Sequence, residues 1–289
     1  MTHVRNGHAF EGALVSASHR YMQENNVSWG WDHDDQQAIK SRLDAFQHQV
    51  PQDLRGQMFQ AATKAINSLL ADHLKHSAHY LIGCGDDPRN GDVSDVTLRN
   101  CTHSLRFSAK WNNTEIKSCR FTPKIFSNNF GSCDLSPWVI NSYSLQELEN
   151  QWKNRLWREV KIEMGSDFVH DLYQQALLLQ LKNIQQSEEA SRRFAAFVFG
   201  QHDYFKVLTK NRKNKPPRVT IGRYRHKLLV PEITNVRKNA NPRHVHITFG
   251  DSWIVRARLH NKDGIAKPGG MSLSFSVKSW GGEPPCVLN

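Results

Sequence analysis

The sequence predicts a mixed α/β fold in which helices and strands are grouped along the chain. Three patterns predict it: apolar residues at helical spacing before residue 80, two short β-like runs on either side of the turn NCTH, and period-two alternation after residue 201. Strands and helices do not alternate regularly, so a parallel doubly wound sheet is not expected. We expect one compact domain of residues 1–289, because no linker rich in Pro, Gly or Ser divides the chain.

The first predicted region, residues 1–80, is helical. Apolar residues follow a helical period from Asp34 to Val50 and again from Leu54 to His76. The turn-rich sequence GCGDDPRNGD then ends this pattern. The runs DVSDVTLR and SLRFSAKW that follow have a period of two, and they predict a β-hairpin within residues 85–135.

Beyond the hairpin the sequence predicts helices and then a strand-rich end. The helices are SLQELENQWKNRLWREV, SDFVHDLYQQALLLQLKNIQQ and EEASRRFAAFVFG, the last ending at Gly200. In residues 201–289 the runs RVTIGRY, HVHITF, SWIVRARL and MSLSFSV predict strands. The run TKNRKNKPPR, from Thr209 to Arg218, is predicted to be a loop because it combines basic residues with two prolines.

The positive charge of the chain is concentrated in its C-terminal third. The whole chain has 38 Lys+Arg and 27 Asp+Glu, a formal net charge of +11, and residues 201–289 alone hold 17 basic and 5 acidic residues. Such a field favours a polyanion, because Lys and Arg that neutralise phosphates release condensed counterions. Nucleic acid is therefore the predicted partner, with a solvated basic face that only maintains solubility as the alternative.

Composition also excludes several classes of protein. The 38% content of hydrophobic residues excludes disorder as the main state. No apolar stretch reaches the roughly 20 residues of a membrane span, and the first residues lack the apolar segment of a secretory signal, so we expect a cytoplasmic protein with no membrane partner. Five cysteines without a CxxC pair predict reduced thiols rather than a zinc site.

The predicted hairpin brings an acid and a lysine to one face. With the turn centred near residues 102 and 103, Asp95 lies across from Lys110, and Ser108 and Asn112 share the face of Lys110. Metal-assisted phosphodiester hydrolysis needs a carboxylate that holds Mg²⁺ and a lysine that positions or deprotonates the attacking water. The same spacing also fits a cross-strand ion pair, worth at most about 1 kcal/mol when exposed.

Several segments resemble, in order, the HaeIII-type restriction endonucleases, a family in the wider PD-D/ExK nuclease group. The segments are GDVSDVTLRN, LRFSAKWNNTEIKSCRF, NNFG, FGQHDYFKV, DSWIVRARLHN and MSLSFSV, which cover residues 85–278 in patches. The resemblance implies a restriction-endonuclease-like core, with a central mixed sheet flanked by helices. It also implies a type II restriction endonuclease that needs Mg²⁺ and cleaves double-stranded DNA at a short GC-rich palindrome such as GGCC.

Carried over residue by residue, the resemblance makes Asp95 the metal-binding aspartate and Lys110 the catalytic lysine. Ser108 stands where most of the wider group has Asp or Glu, which removes one expected metal ligand. Candidate substitutes are oxygen donors near the hairpin: the Ala109 carbonyl with waters, Glu115, Asp92 and Asp87. Asp92 points to the other face of a regular strand unless a bulge intervenes, and Glu115 is moderately better placed.

DNA contacts are expected from two groups of residues. Polar residues after the lysine are assigned to phosphate or base contacts: Asn112, Asn113, Lys117 and Arg120. Recognition is assigned to the basic third, with Arg243, Arg256 and Arg258 as candidates for guanine contacts and with the neighbouring His260 and Asn261. A palindromic site implies a two-fold homodimer, and the resemblance implies a companion DNA methyltransferase.

Other interpretations of the same residues remain open. The pair His260-Asn261 also occurs in HNH nucleases, but no histidine follows it to complete their metal site. His244 and His246 share a strand face, although no third metal ligand is suggested. For the protein as a whole, the alternatives are a non-cleaving DNA-binding protein, in which Ser108 marks a degenerate nuclease site, and a DNA-repair nuclease of the same core.

Overall fold

The computed structural model describes most of the chain and has the predicted mixed α/β class. The described residues are 2–74, 78–84, 94–112, 117–120, 139–140, 143–212, 215–260, 271–281 and 285–288. Their helices are α1 (Thr2–Glu24), α2 (Gln36–His48), α3 (Gln52–Leu70), α4 (Leu145–Trp152), α5 (Trp157–Met164), α6 (Ser166–Gln185) and α7 (Glu188–Phe199). A short 3₁₀ helix covers His226–Leu228.

The strands follow the predicted pattern of a central hairpin and a strand-rich end. In chain order they are β1 (Trp29–Trp31), β2 (Tyr80–Cys84), β3 (Val96–Arg99), β4 (Ser104–Trp111), β5 (Lys117–Arg120), β6 (Val139–Ile140), β7 (Tyr143–Ser144), β8 (Tyr204–Arg212), β9 (Lys215–Tyr224), β10 (Ile233–Lys238), β11 (His244–Phe249), β12 (Trp253–His260), β13 (Ser272–Trp280) and β14 (Cys286–Leu288).

The chain divides into two compact units, each built from separate stretches of sequence. Unit 1 contains Met1–Thr114, Gln201–His226 and Glu283–Asn289, and unit 2 contains Glu115–Gly200 and Lys227–Gly282. The predicted hairpin region 85–135 and the basic region 201–289 therefore each contribute to both units. The expectation of a single nuclease domain over residues 1–289 stays a prediction.

Unit 1 is a seven-stranded mixed sheet covered by helices. The strand order is β1-β2-β3-β4-β8-β9-β14, with parallel pairing of β1 with β2 and of β4 with β8 and antiparallel pairing elsewhere. Helix α1 contacts α2, α3 and the strands β2, β3 and β4. Its apolar side is fully buried, as at Phe10 and Leu14, and this packing places α1 against the hairpin.

Gly12 allows the close approach of α1 and α2. A Cβ at this position would overlap the carbonyl oxygen of Arg42 and lie 2.9 Å from Cβ of Phe46. The backbone of α2 cannot give way without separating the two helices, because both are packed into one core. A glycine at residue 12 is therefore required by packing and not by backbone conformation.

Gly12→Ala is expected to destabilise the protein by about 1–3 kcal/mol, the usual cost of overpacking. Gly7→Ala on the same helix is the matched control, since a Cβ there meets nothing within 4 Å. The control variant is expected to be more stable than the wild type by up to about 1 kcal/mol, because alanine has a higher helix propensity than glycine. Urea unfolding of both variants checks the pair, and equal effects of the two substitutions would contradict the proposed packing.

Unit 2 has a five-stranded antiparallel sheet whose one face packs on helices. The order is β10-β11-β12-β13-β5, and β6 pairs separately with β7. Alternate residues of the sheet are fully buried, and Phe194 of α7 packs on two of them, Phe249 and Phe275, with ring centroids 6.1 and 5.6 Å away. The predicted period-two burial is confirmed in β11 and β12, whereas in β13 the serines that alternate with the apolar residues are buried too.

Two predicted elements are wrong. The described residues of the run from Thr209 to Arg218 are not a loop, because they lie on β8 and β9, where Lys210 pairs with Arg218. Charged side chains on such strands do not prevent the main-chain ladder, and the prolines lie near the start of β9. The helix predicted from Ser144 to Val160 is interrupted, because Asn154 has a positive φ of 68° and separates α4 from α5.

Among the residues that the structure describes, no helix combines the length and the apolar character of a membrane span.

Candidate active site at the first hairpin

The turn of the β3–β4 hairpin is set by Asn100. Its side-chain Oδ1 accepts hydrogen bonds from the backbone N–H groups of Thr102 at 2.9 Å and His103 at 2.7 Å. The ladder therefore closes with Arg99 opposite Ser104 and Val96 opposite Phe107. An asparagine that bonds to the backbone ahead of it is a usual start of a turn.

This register differs from the predicted one by two residues. Just beyond the ladder, the backbone N–H of Asp95 donates to the carbonyl of Phe107 at 2.7 Å, so Asp95 lies beside Ser108 and not directly across from Lys110. The error arises because the turn is centred one residue earlier than residues 102 and 103. A shift of two residues preserves the face of a strand, and Lys110 therefore still reaches Asp95.

The carboxylate of Asp95 is held by the strand that faces it. Its Oδ2 accepts hydrogen bonds from the Ala109 backbone N–H at 2.6 Å and from the Ser108 hydroxyl at 3.2 Å, and it lies 3.6 Å from Lys110 Nζ. The side chain of Asp95 is 11% exposed and that of Lys110 is 28% exposed. The pair is thus largely withdrawn from water, unlike the exposed edge pair considered as the alternative.

A second lysine lies behind this pair. Lys206 on β8 is opposite Ser108 in the parallel β4–β8 ladder, and its Nζ donates to the Ser108 hydroxyl at 2.8 Å. Its side chain is fully buried. Burial, assisted by the nearby charge of Lys110, holds the pKa of Lys206 well below its ordinary value.

Glu11 of α1 is a further acidic residue of the site, and the sequence analysis missed it. The preceding residue, Phe10, contacts Trp111 at the end of β4, with ring centroids 5.1 Å apart. Glu11 is buried, and its carboxylate accepts a hydrogen bond from the guanidinium of Arg42. A lone carboxylate in the apolar sequence HAFEGALV is a signal from which this residue could have been found.

The environment of Glu11 favours its protonated form. Burial is the main cause that raises its pKa from 4.5 to about 7, and repulsion from Asp95 adds to it, whereas Arg42 and Lys110 lower the pKa. Two carboxylates that repel each other near a lysine are typical of sites that bind cations or transfer protons. Glu11 and Asp95 are therefore close enough to influence one another's charge.

The pKa of Glu11 predicts how stability depends on pH in the metal-free protein. Because the folded pKa is raised, the contribution of this residue is fully present below pH 4.5 and is lost as the pH rises through about 7. Across this window we expect the free energy of unfolding of the wild type to fall by on the order of 3 kcal/mol because of Glu11. The substitution Glu11→Gln should remove this fall.

Urea unfolding in the presence of a chelator, at about pH 5 and about pH 8, measures the expected decline. Glu24→Gln is the matched control, since Glu24 lies on the same helix in an exposed ion pair with Arg20. The control should follow the wild-type pH profile. An unchanged profile for Glu11→Gln would show that Glu11 is ionised in the folded protein at neutral pH.

Other predicted residues lie near this site or outside the described residues. Asn112 follows β4 with a φ of 52°, and its backbone N–H donates to the Thr209 carbonyl at 3.1 Å. Ala109 contacts Asp95 through its N–H, as described above. Four predicted ligands or DNA contacts, and the further candidate Asp87, lie outside the described part of the chain: Asp92, Asn113, Glu115 and Asn261.

Cys84, the last residue of β2, lies next to Asp95. Its thiol donates to the carbonyl of Asp95 at 3.3 Å, and burial raises the pKa of this thiol to about 12. It is therefore a structural thiol rather than a nucleophile. Within the described part of the chain, the cysteines Cys84, Cys101 and Cys286 are free, in agreement with the prediction of reduced thiols.

In unit 2 two of the predicted recognition residues, Arg256 and Arg258, lie on one face of the five-stranded sheet. Arg256 is opposite His246, Arg258 is opposite His244, and Arg237 is opposite His246 from the other side. We call the surface formed by six basic residues of this sheet the basic face: Arg237, His244, His246, Arg256, Arg258 and Lys278. The Nε atom of Arg256 is buried and has no hydrogen-bond partner among the described residues.

The positive charges of the basic face act on one another. Burial, followed by repulsion from Arg256 and Arg258, lowers the pKa of His244 to about 4. Burial and the charges of Arg237 and Arg256 also lower the pKa of His246. His244 is therefore neutral at pH 7, and the arginines and Lys278 carry the positive charge of the basic face.

The remaining recognition residues are placed differently. Arg243 precedes β11, and its charge lowers the pKa of His170 on α6 and of Lys161 on α5, although burial is the main cause for both. The backbone carbonyl of Arg243 accepts a hydrogen bond from the N–H of Leu259 at 2.8 Å, while its charge acts on these helix residues. Lys117 and Arg120 lie on β5, where the backbone of Arg120 pairs with Ser272, and His260 ends β12.

A scan against protein-family models and searches of curated proteins and of solved structures found no match to this chain. Within the described ranges, no group of three or more His, Cys, Asp or Glu side chains is arranged to hold a metal ion.

Proposed function

We propose that this protein is a Mg²⁺-dependent type II restriction endonuclease that hydrolyses double-stranded DNA at a short GC-rich palindrome. The observation that carries the proposal is the pairing of Asp95 with Lys110, whose Oδ2 and Nζ atoms lie 3.6 Å apart, and the charge of Asp95 also acts on the buried carboxylate of Glu11. The resemblance to HaeIII-type enzymes, carried by the residues of the same hairpin, supports the same conclusion. GGCC is the sequence that this resemblance suggests.

The acidic residues fit a magnesium ion, although Ser108 offers no carboxylate. Mg²⁺ keeps several waters and is usually bound by one or two carboxylates together with substrate phosphates. Asp95 and Glu11 supply two carboxylates, and a divalent cation would remove the repulsion that raises the pKa of Glu11. We therefore assign the role of the missing second carboxylate to Glu11.

When bound, Mg²⁺ would polarise the scissile phosphate and lower the pKa of a coordinated water. Lys110, the most exposed member of the site, is placed to contact a phosphate oxygen and to orient the attacking water. Arg42 holds the carboxylate of Glu11 from the side of α2. The backbone N–H of Ala109 and the hydroxyl of Ser108 fix one oxygen of Asp95, which leaves its other oxygen for the cation.

The basic face provides the surface for DNA. Arg256 and Arg258 share one face of β12, and arginines on β-strands that enter the major groove can contact guanine. A palindromic target implies that two copies of the chain act as a homodimer. A companion methyltransferase that protects the host's own sites is part of the same proposal.

One observation favours a second candidate, a DNA-binding protein that does not cleave. The described residues hold no three-ligand metal cluster, and Ser108 replaces the second acid of the motif. Such a protein would keep the basic face and use the hairpin only as a structural element.

Incubation with unmethylated phage DNA, in Mg²⁺ or in a chelator, separates the candidates. A restriction endonuclease gives discrete fragments that require Mg²⁺ and carry 5′-phosphate ends. A continuous smear would indicate a repair or structure-selective nuclease. Intact DNA that is only retarded in a gel would favour the binding protein and would contradict our proposal.

A further inference from the structure

The feature that the proposed chemistry does not use is the buried lysine of β8. Lys206 is 1% exposed, and its Nζ donates a hydrogen bond to the hydroxyl of Ser108 at 2.8 Å. That hydroxyl donates in turn to Oδ2 of Asp95 at 3.2 Å. The three residues thus form a chain of hydrogen bonds that starts in the core and ends at the proposed metal-binding carboxylate.

This chain fixes one carboxylate oxygen of Asp95. Oδ2 also accepts the Ala109 N–H at 2.6 Å, so a main-chain donor and a side-chain donor hold it from the same strand. The hydroxyl of Ser108 has one proton, and because the amine of Lys206 donates to its oxygen, that proton is directed to Asp95. The amine therefore determines the direction in which Ser108 donates.

The position of Lys206 is costly for stability. A buried amine loses its hydration, and within the described residues Lys206 lies in no direct ion pair with a carboxylate. An apolar side chain of similar length would remove this cost and would fill the same volume. Residues that reduce stability in this way are found mainly at functional sites.

We propose that Lys206 is a positioning residue, which acts through Ser108 to hold the carboxylate of Asp95 in the orientation that binds the metal ion. The inference rests on the proposed function, because it assigns Asp95 to a metal site. It also accounts for Ser108 in place of an acid. The side chain at this position must accept from Lys206 and donate to Asp95, and a carboxylate cannot donate.

The test uses Lys206→Met, Ser108→Ala, the double variant and the wild type. Lys40→Met, on the exposed side of α2 in the same unit, is the control. Three measurements are made on each protein: thermal unfolding, Mn²⁺ affinity by calorimetry, and Mg²⁺-dependent DNA cleavage.

We expect Lys206→Met to unfold at the same or a higher temperature than the wild type, while its Mn²⁺ affinity and its cleavage rate fall by about 10- to 100-fold, as for other residues that orient metal ligands. Ser108→Ala should lose the same affinity but should unfold at a lower temperature, because it leaves the buried amine without a partner. In the double variant the stability should recover and the affinity should fall no further, because both residues act in one chain.

Different results overturn different parts of the account. If Lys206→Met lowers the unfolding temperature and leaves Mn²⁺ affinity and cleavage unchanged, Lys206 is a structural residue. Losses that multiply in the double variant would show that Lys206 does not act through Ser108. If the wild type binds Mn²⁺ but cuts no DNA, the proposed function fails, and the affinities alone decide the role of Lys206.

A wild type that binds no Mn²⁺ overturns both proposals. If Lys206→Met does not fold, Ser108→Ala decides: unchanged Mn²⁺ affinity overturns the role of Lys206.

Discussion

Replacement of Asp95 by asparagine is expected to reduce Mg²⁺-dependent cleavage by at least about a thousandfold, because the metal supplies several kcal/mol of transition-state stabilisation and each 1.36 kcal/mol is tenfold in rate. Asparagine keeps the size of the side chain and can still accept the hydrogen bonds of Ala109 and Ser108. It lacks the charge that binds a cation. The loss should therefore appear in chemistry and not in folding.

Binding of DNA should survive in the same variant. Asp95 is a negative charge near the proposed path of a polyanion, so its removal leaves affinity unchanged or raises it. Filter binding in a chelator measures this affinity, and single-turnover cleavage in Mg²⁺ measures the rate. Ser104→Ala, an exposed change at the start of β4, is the matched control in the same hairpin. Cleavage at the wild-type rate by Asp95→Asn would remove Asp95 from the active site.

The paired substitution of Arg256 and Arg258 by alanine is expected to have the second largest effect, on DNA affinity. If both arginines contact DNA, the slope of the logarithm of affinity against the logarithm of salt concentration should fall by about 2 in magnitude, since each phosphate contact contributes about 0.9. Contacts to guanine would also relax the preference for the cognate sequence, at about 1–3 kcal/mol for each bidentate pair.

The control for this prediction removes the same charge from the opposite side of the sheet. Arg192 and Arg193 of α7 are exposed and pair with Glu188 and Glu189 of the same helix. Their double alanine variant has the same net charge as the test variant, so a loss of affinity common to both would reflect overall charge alone. Equal salt slopes for the two variants would contradict a role of the basic face in DNA binding.

The hairpin shows how far a sequence pattern leads. The period of two placed Asp95 and Lys110 on one face, and this held although the register differed by two residues, because strand faces repeat with that period. The register itself depends on the side-chain hydrogen bonds of Asn100, which the alternation of apolar residues does not encode. Local turn chemistry was the missing information.

Glu11 and Lys206 were not assigned to the site from the sequence for a different reason. They lie about a hundred residues on either side of the hairpin in the chain, and only the packing of α1 and the parallel pairing of β4 with β8 bring them to Asp95. Such contacts depend on the tertiary fold, for which periodicity carries no information. A buried charge in an apolar run, as in HAFEGALV, was nevertheless a readable sign.

In the basic third of the chain, composition led to a wrong prediction of a loop. The charges of the run from Thr209 to Arg218 suggested a loop, whereas its described residues pair through the main chain as parts of β8 and β9. The prediction rested on residue composition, whereas backbone hydrogen bonds between β8 and β9 determine the structure of this segment. The strands predicted from alternation, β11 and β12 among them, are present with their expected faces.

The most direct test of the central claim, that the hairpin is a nuclease active site, is a digest of unmethylated phage DNA by the wild type beside Lys110→Ala and the exposed-lysine control Lys40→Ala. We predict discrete Mg²⁺-dependent fragments from the wild type and the control, and intact DNA with Lys110→Ala although that variant still retards DNA in a gel. Fragments from Lys110→Ala at the wild-type rate, or no cleavage by any of the three proteins, would contradict the account.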